Sequence, residues 1–263
     1  MIAQLGAAAT GFLREISGLV WMTRETVSEL RDRLAAGRAP INWSSFFIQT
    51  RLVGPGSAPL VALVTIFFGL TMALLTGYQL QLFGLVALVP SIVSVSFTRE
   101  LGPLLAGIVV AARVGAAFTA ELGSMVVSEE VEAIEGMGIG PLRYLVIPRV
   151  AAVLFLTPCL AVLADVSGIF GGALIASATL NISYGYFWDQ VMTHLLVKDI
   201  VSGIVKSVLF GGIIGLIACY KGLSVRGGAS GVGLATTYSV VAAIATVIAC
   251  DTVCNIFFFI VLK

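Results

Sequence analysis

Long apolar runs, broken by short polar patches, dominate this chain from about residue 59 onward. The first, about Pro59 to Tyr78, carries no charge and ends at the polar break Gly77-Tyr78-Gln79 to Gln81. Further runs cover about Val86 to Val127, Val150 to Thr179, Ile200 to Tyr220 and Leu234 to Leu262. About 20 apolar residues carry a helix across the roughly 30 Å of bilayer hydrocarbon, so each run predicts a spanning helix. The second run is too long for one crossing, since at about 1.5 Å per residue it reaches about 60 Å. It also holds Arg99, Glu100, Arg113 and Glu121. It reads as a span over about 88–113 that runs on into a water-facing segment. The pattern therefore predicts an all-α polytopic membrane protein with five transmembrane helices.

Residues from about 5 to 35 keep a different rhythm. Leu5, Phe12, Ile16, Leu19, Val27, Leu30 and Leu34 recur at helical spacing, and Arg14, Glu15, Arg24, Glu25, Glu29, Arg31, Asp32 and Arg33 fill the other positions. Such a segment is too charged to cross a bilayer and too apolar on one side to stay free of it. It predicts a helix lying in the membrane interface, ended by Gly37 and Pro40. The chain thus divides into an interfacial helix, 1–40, and a spanning domain, 41–263. Without a basic leader, and with Arg14-Glu15 interrupting the first apolar stretch, the first span is expected to act as its own targeting signal.

Basic residues choose the orientation. Arg14, Arg24, Arg31, Arg33, Arg38, Arg143, Arg149, Lys221 and Arg226 fall on one side, against little more than Lys198 and Lys263 on the other. The basic side is expected to be cytoplasmic, with the N-terminus and the 114–149 and 221–233 loops there and the C-terminus outside. Between the third and fourth spans, Tyr184, Tyr186, Phe187 and Trp188 form an aromatic interfacial cluster.

Composition narrows the function classes. Hydrophobic residues make up 59% and charged residues 11%, against about 25% charged in soluble domains. A soluble enzyme is excluded on that ground. The net charge of +1 gives no footprint for nucleic acid. Cys159, Cys219, Cys250 and Cys254 all lie in apolar segments. Cys250 and Cys254 share a helix face, but no His or second thiol pair is near, so they read as packed residues and no metal is expected. Gly228-Ala229-Ser230-Gly231 matches the G-x-S-G of intramembrane rhomboid proteases. That chemistry needs a His, and His194 falls in the loop on the opposite side, so a protease is rejected.

The segment Ser128 to Pro148 carries the clearest local signal. Ser128 suits an N-cap, Glu129 and Glu130 suit a first turn, and Gly138 or Gly140 followed by Pro141 ends a helix. Val127, Val131 and Ile134 share a face, while Glu129, Glu132 and Glu135 point elsewhere. A short acidic amphipathic helix between spans is expected to be a docking element, and its stripe of Val, Ile and Met is expected to be exposed. No G-x-x-x-x-G-K-[ST] occurs, so the chain is not expected to bind ATP or Mg²⁺ or to act as an enzyme. Any ATP would be handled by a separate subunit. Glu132-Ala133-Ile134-Glu135-Gly136-Met137-Gly138 with Ile147-Pro148 resembles the E-A-A-x-x-x-G loop of ABC importer permeases. That resemblance implies a coupling helix over about 128–138. Its candidate contacts to an ATPase are Val127, Glu130, Val131, Ile134, Glu135, Met137 and Gly138.

Charges within spans are costly unless paired or wetted. At about 100° per residue, Arg99, Arg113 and Glu121 fall within about an 80° arc, with Glu100 about 60° beyond its edge. One polar face is expected to look inward. It reads either as a solvated cavity, with Arg99 on a lipid phosphate and Glu100 orienting it or pairing with an amine, or as a structural Arg–Glu pair. Lys206, Asp165 and Asp251 are expected to pair as Lys206–Asp251 or Lys206–Asp165, with an ion relay as the sharper alternative. Tyr78, Leu80, Gln81 and Phe83 either anchor the first span at the interface or line the outward mouth of a lipid pocket. The many span glycines, Gly211-x-x-x-Gly215 among them, allow close helix approach, within the chain or across a dimer.

Arg99-Glu100-Leu101-Gly102-Pro103, Ala112-Arg113-Val114-Gly115-Ala116-Ala117, Ala120-Glu121-Leu122-Gly123-Ser124-Met125, Gly140-Pro141-Leu142-Arg143-Tyr144 and Gly231-Val232-Gly233-Leu234-Ala235-Thr236-Thr237 sharpen the picture. Together they resemble the MlaE/YrbE family of ABC permeases, from about residue 55 to the C-terminus. The resemblance implies phospholipid transport between bacterial inner and outer membranes, and location in the inner membrane. It also implies a homodimer around a central cavity with one ATPase docked on each copy. A STAS-domain protein and a periplasmic MCE-domain protein are implied as partners, and Glu100 is placed at the substrate pocket. The alternative, from the residues alone, is a secondary transporter or channel driven by Lys206, Asp165 and Asp251.

Overall fold

Apolar side chains with no water to satisfy the backbone favour helices, because a helix pairs its own N–H and C=O groups. The computed structural model describes residues 17–29, 31 and 43–261, and among them every regular element is helical. Much of the interfacial helix, including Leu5, Phe12, Arg14, Leu30, Asp32 and Pro40, lies outside the described residues. Its described part, α1 (residues 17–29), sets Met22 into the core beside Leu122, Leu145 and Cys219. It leaves Val20, Trp21 and Val27 exposed.

Among the described residues, five helices are long and apolar enough to cross a membrane. The first, α2 (Trp43–Gln81), starts well before the expected Pro59, with Pro55 and Pro59 inside it. The second span, Val86–Val127, is one continuous rod of 42 residues. It comprises α3 (Val89–Ser96), α4 (Gly102–Val110) and α5 (Ala116–Val127), joined by π-turns at Phe97–Leu101 and Ala111–Gly115. The segment after residue 113, expected to face water, continues the same rod and buries one of its faces. Val114, Phe118, Thr119 and Leu122 are buried, because α5 packs against later helices.

A short α6 (Glu130–Gly136) and a third π-turn, Leu142–Val146, lead into α7 (Ile147–Thr179). Then come α8 (Tyr184–His194), α9 (Val197–Leu223) and α10 (Gly228–Val261). Ser230, expected in a loop, lies in the first turn of α10. In α8 the aromatic cluster divides: Phe187 is buried in the core, whereas Tyr184 and Tyr186 are exposed.

Glycine decides the helix crossings. A Cβ at Gly69 would lie 1.9 Å from the Gly168 carbonyl oxygen, and one at Gly171 would lie 2.3 Å from the Ile66 carbonyl oxygen. α2 and α7 thus touch backbone to backbone, and Thr65 Oγ1 meets Ser167 Oγ at 2.6 Å across the same crossing. Gly211 and Gly215 face Val153 and Val150 of α7, so that small-residue pair packs within the chain. The apolar exteriors of α2 and α10 stay open, with Leu63, Phe67, Leu75, Leu234, Val241 and Phe257 exposed. Faces of that size suit lipid or a second subunit rather than water.

Candidate functional site

The π-turn at Phe97–Leu101 builds the centre of the molecule. A π-turn inserts a residue into the helical ladder and releases backbone carbonyls from their usual partners. Here the Arg99 carbonyl, within the turn, accepts from Lys206 Nζ at 3.1 Å. The same ammonium donates to Glu100 Oε2 at 2.5 Å and to Asn255 Oδ1 at 2.6 Å. Its three donors are thereby used. Asp251 Oδ1 sits 3.1 Å away as a second ion partner. Asn255 Nδ2 donates to Glu100 Oε1 and, at 3.2 Å, to Asp251 Oδ2. Three helices meet in this cluster, and Lys206 is 1% exposed while Glu100 keeps 35%.

Beside it, Arg99 Nε pairs with Asp199 Oδ1 at 2.8 Å. Asp199 is itself buried and accepts from the Leu196 N–H at the start of α9. Arg99 and Glu100 are therefore not partners of each other; each is matched to α9. Both stay partly accessible, Arg99 at 43% and Glu100 at 35%.

Of the expected pairs, Lys206–Asp251 forms and Lys206–Asp165 does not. Asp165, on α7, lies against Gly102, and its Oδ1 accepts no hydrogen bond. Nor do Arg99, Arg113 and Glu121 form one polar face. Each π-turn adds a residue and so rotates the helix beyond it by about 100° relative to a simple helical count. Arg113 instead reaches α2, where its NH1 donates to Ser57 Oγ at 2.9 Å. Glu121 pairs with the buried Arg149 at 3.0 Å. Arg149 also donates to the Leu145 carbonyl in the third π-turn and lies over the Phe118 ring.

Tyr78, Gln81 and Phe83 are exposed at the end of α2 and in the turn after it. Leu80 packs into the core with Val93 and Phe97. None of the four is hydrogen-bonded to Glu100.

On the opposite side, α6 comes after a tight turn. Ser128 is not its N-cap: that place belongs to Glu129, in the left-handed region at φ 59°. Ser128 closes α5 and donates to Glu130 Oε1 at 2.9 Å. Gly138, at φ +76°, ends α6, with its N–H bonded to the Glu135 carbonyl and that of Ile139 to Ile134. A glycine is favoured there because L side chains resist that conformation. The expected exposed stripe is corrected too. Val131 and Ile134 pack into the cluster of Leu122, Leu145, Val146 and Cys219 and so root α6 in the bundle. What α6 and its flanking residues present outward is Val127, Glu130, Glu132, Glu135 and Met137, the last 67% exposed.

Two residues of these charged contacts escaped the sequence reading. Asn255 stands four residues after Asp251, a same-face spacing on α10 that signalled it. Asp199 fell in the expected loop between spans, and nothing in its neighbours marks it as a partner of Arg99. Cys250 and Cys254 do share a face, with sulfurs 4.0 Å apart. Among the described residues no group of three or more His, Cys, Asp or Glu has the arrangement of a metal site.

Comparison with known proteins fits this geometry. Residues 46–257 match the family model described as Permease MlaE. A probable ABC transporter permease protein of Rickettsia typhi is 40% identical over 204 residues, covering 78% of this chain and 79% of its own length. A probable ABC transporter permease protein of Synechocystis is 36% identical, covering 76% of each. The chloroplastic protein Trigalactosyldiacylglycerol 1 of Arabidopsis thaliana is 35% identical over 84% of this chain and 63% of its own length. With five apolar helices, an internal charged cluster and a matched stretch of this length, the chain is a multi-pass membrane protein and belongs to the MlaE permease family.

Proposed function

We propose that the chain is the transmembrane subunit of an ABC-type transporter that moves phospholipids between bacterial inner and outer membranes, with ATP and Mg²⁺ bound by a separate ATPase. The observation that carries this reading is the rooting of α6. An acidic helix with an exposed methionine, locked by Val131 and Ile134 into the ends of α5, α7 and α9, is a lever whose displacement must move the spans. The Rickettsia and Synechocystis relatives are named as ABC permeases, and the Arabidopsis relative's name contains a glycerolipid. Glu100 and Arg99, each half-accessible and each held by a partner, are the groups for an amine and a phosphate of a headgroup.

In this reading the protein sits in the inner membrane with α6 and the N-terminus cytoplasmic and the C-terminus periplasmic. Two copies enclose the lipid path, and STAS-domain and MCE-domain proteins complete the assembly. A partner's closure on ATP pushes both α6 helices, the spans close, and the lipid is expelled. The chain itself hydrolyses nothing.

The test is lipid movement in proteoliposomes with the ATPase present. Glu132→Lys with Glu135→Lys is expected to abolish ATPase co-purification and transport together. The Lys206, Glu100 and Asp251 cluster favours one competing reading, ion-coupled transport. Collapsing the proton gradient while ATP remains separates the two: arrest of lipid movement would select the ion-coupled mechanism.

A further inference from the structure

Arg99, Arg149 and Lys206 are each matched to a carboxylate. Arg113 is held by the neutral hydroxyl of Ser57, and no ion pair to it forms among the described residues. Its depth is informative. Between Arg51 and Arg99 the chain has no charged residue. From Ser57 to Gln79 is about 33 Å of helix at about 1.5 Å per residue, close to the hydrocarbon thickness. Ser57 and Arg113 therefore lie at the edge of the hydrocarbon on the α6 side, at the level of lipid headgroups.

An arginine that merely snorkels toward water keeps its freedom. This one is seated. A Cβ on Gly56 would lie 2.1 Å from one terminal nitrogen of the guanidinium and 2.4 Å from the other, so the group fills the hollow that the glycine leaves. The π-turn Ala111–Gly115 sets its direction. NH1 is spent on Ser57, while NH2 and Nε have no acceptor among the described residues, and the side chain is exposed. A guanidinium fixed in place with two donors free is a receptor for a phosphodiester, which it binds through paired charge-assisted hydrogen bonds.

We propose that Arg113, seated on Gly56 and bonded to Ser57, binds the phosphate of a phospholipid in the leaflet on the α6 side. It is a second headgroup station, about 20 Å along the same rod from Glu100. The choice of a lipid as ligand rests on the permease reading above; the anion site itself rests on geometry.

The experiment uses full-length protein in nanodiscs, without ATP or ATPase, so that failure of the ATP-driven reading leaves it intact. Phosphatidylglycerol with a photoactivatable group near the headgroup is cross-linked and the adducts are mapped by mass spectrometry. Adducts on residues 112–121 are expected. They should fall at least tenfold in Arg113→Gln and in Gly56→Val, which displaces the guanidinium while keeping its charge. Adducts near Glu100 should persist in both. Wild-type adduct levels at 112–121 in a monodisperse Arg113→Gln or Gly56→Val protein would overturn the site. Suppression of those adducts by millimolar inorganic phosphate would overturn the lipid in favour of a soluble anion; insensitivity to phosphate supports the lipid.

Discussion

Replacing Lys206 with Met removes the one positive charge among two carboxylates. Glu100 Oε2 loses a partner at 2.5 Å, Asp251 loses one at 3.1 Å, and Asn255 Oδ1 loses its donor. Removing one member of a buried pair costs about 3–5 kcal/mol, because the remaining charge is left uncompensated. Solvent shares part of the Glu100 charge, since that side chain is 35% exposed, so the lower end, about 3 kcal/mol, applies. Neutralising the carboxylates as well, with Glu100→Gln and Asp251→Asn beside Lys206→Met, removes the stranded charges. The triple variant is expected within about 1 kcal/mol of wild type, since neutral replacements of buried ion groups are often close to break-even. Equilibrium unfolding in mixed micelles measures both, and the difference is the cost of leaving the two carboxylates charged without their cation. A single variant as stable as wild type, or a triple variant no better than the single, would refute the electrostatic account of how span two is fastened to α9 and α10.

Individual contacts set further expectations. Gly171→Val forces a side chain against the Ile66 carbonyl and should destabilise by about 1–3 kcal/mol; Gly212→Ala, whose Cβ would meet only Leu154 Cδ1 at 3.8 Å, should leave the thermal midpoint unchanged. Val131→Glu places a carboxylate in the core beneath α6, so limited proteolysis should cut 128–140 faster than in wild type. Met137→Asp should spare the fold and weaken ATPase co-purification. Arg149→Leu should lower stability by about 1–3 kcal/mol, and much less in a Glu121→Gln background, because the two side chains pair at 3.0 Å.

Much of the architecture was legible along the chain. Apolar runs of membrane length announced five spans, because a backbone in lipid satisfies itself as helix and the side chains must match the hydrocarbon. The turn after Met137 and the short acidic helix before it were readable from Gly138, the glutamates and Pro141. What failed was the angular count along span two. It assumed about 100° per residue without interruption, and two π-turns, which no residue pattern announced, each shift the register. Arg99, Arg113 and Glu121 consequently face Asp199, Ser57 and Arg149 rather than one another. Val131 and Ile134 point the other way from expectation for a related reason: the second span continues past residue 113 as a packed helix, and its α5 offers α6 a surface to sit on. Composition and local spacing determined that this chain lies in a membrane and how many long apolar helices it forms there. Which charge meets which was decided by helix crossings and register shifts, because ion partners are set by distances in three dimensions between residues about a hundred positions apart.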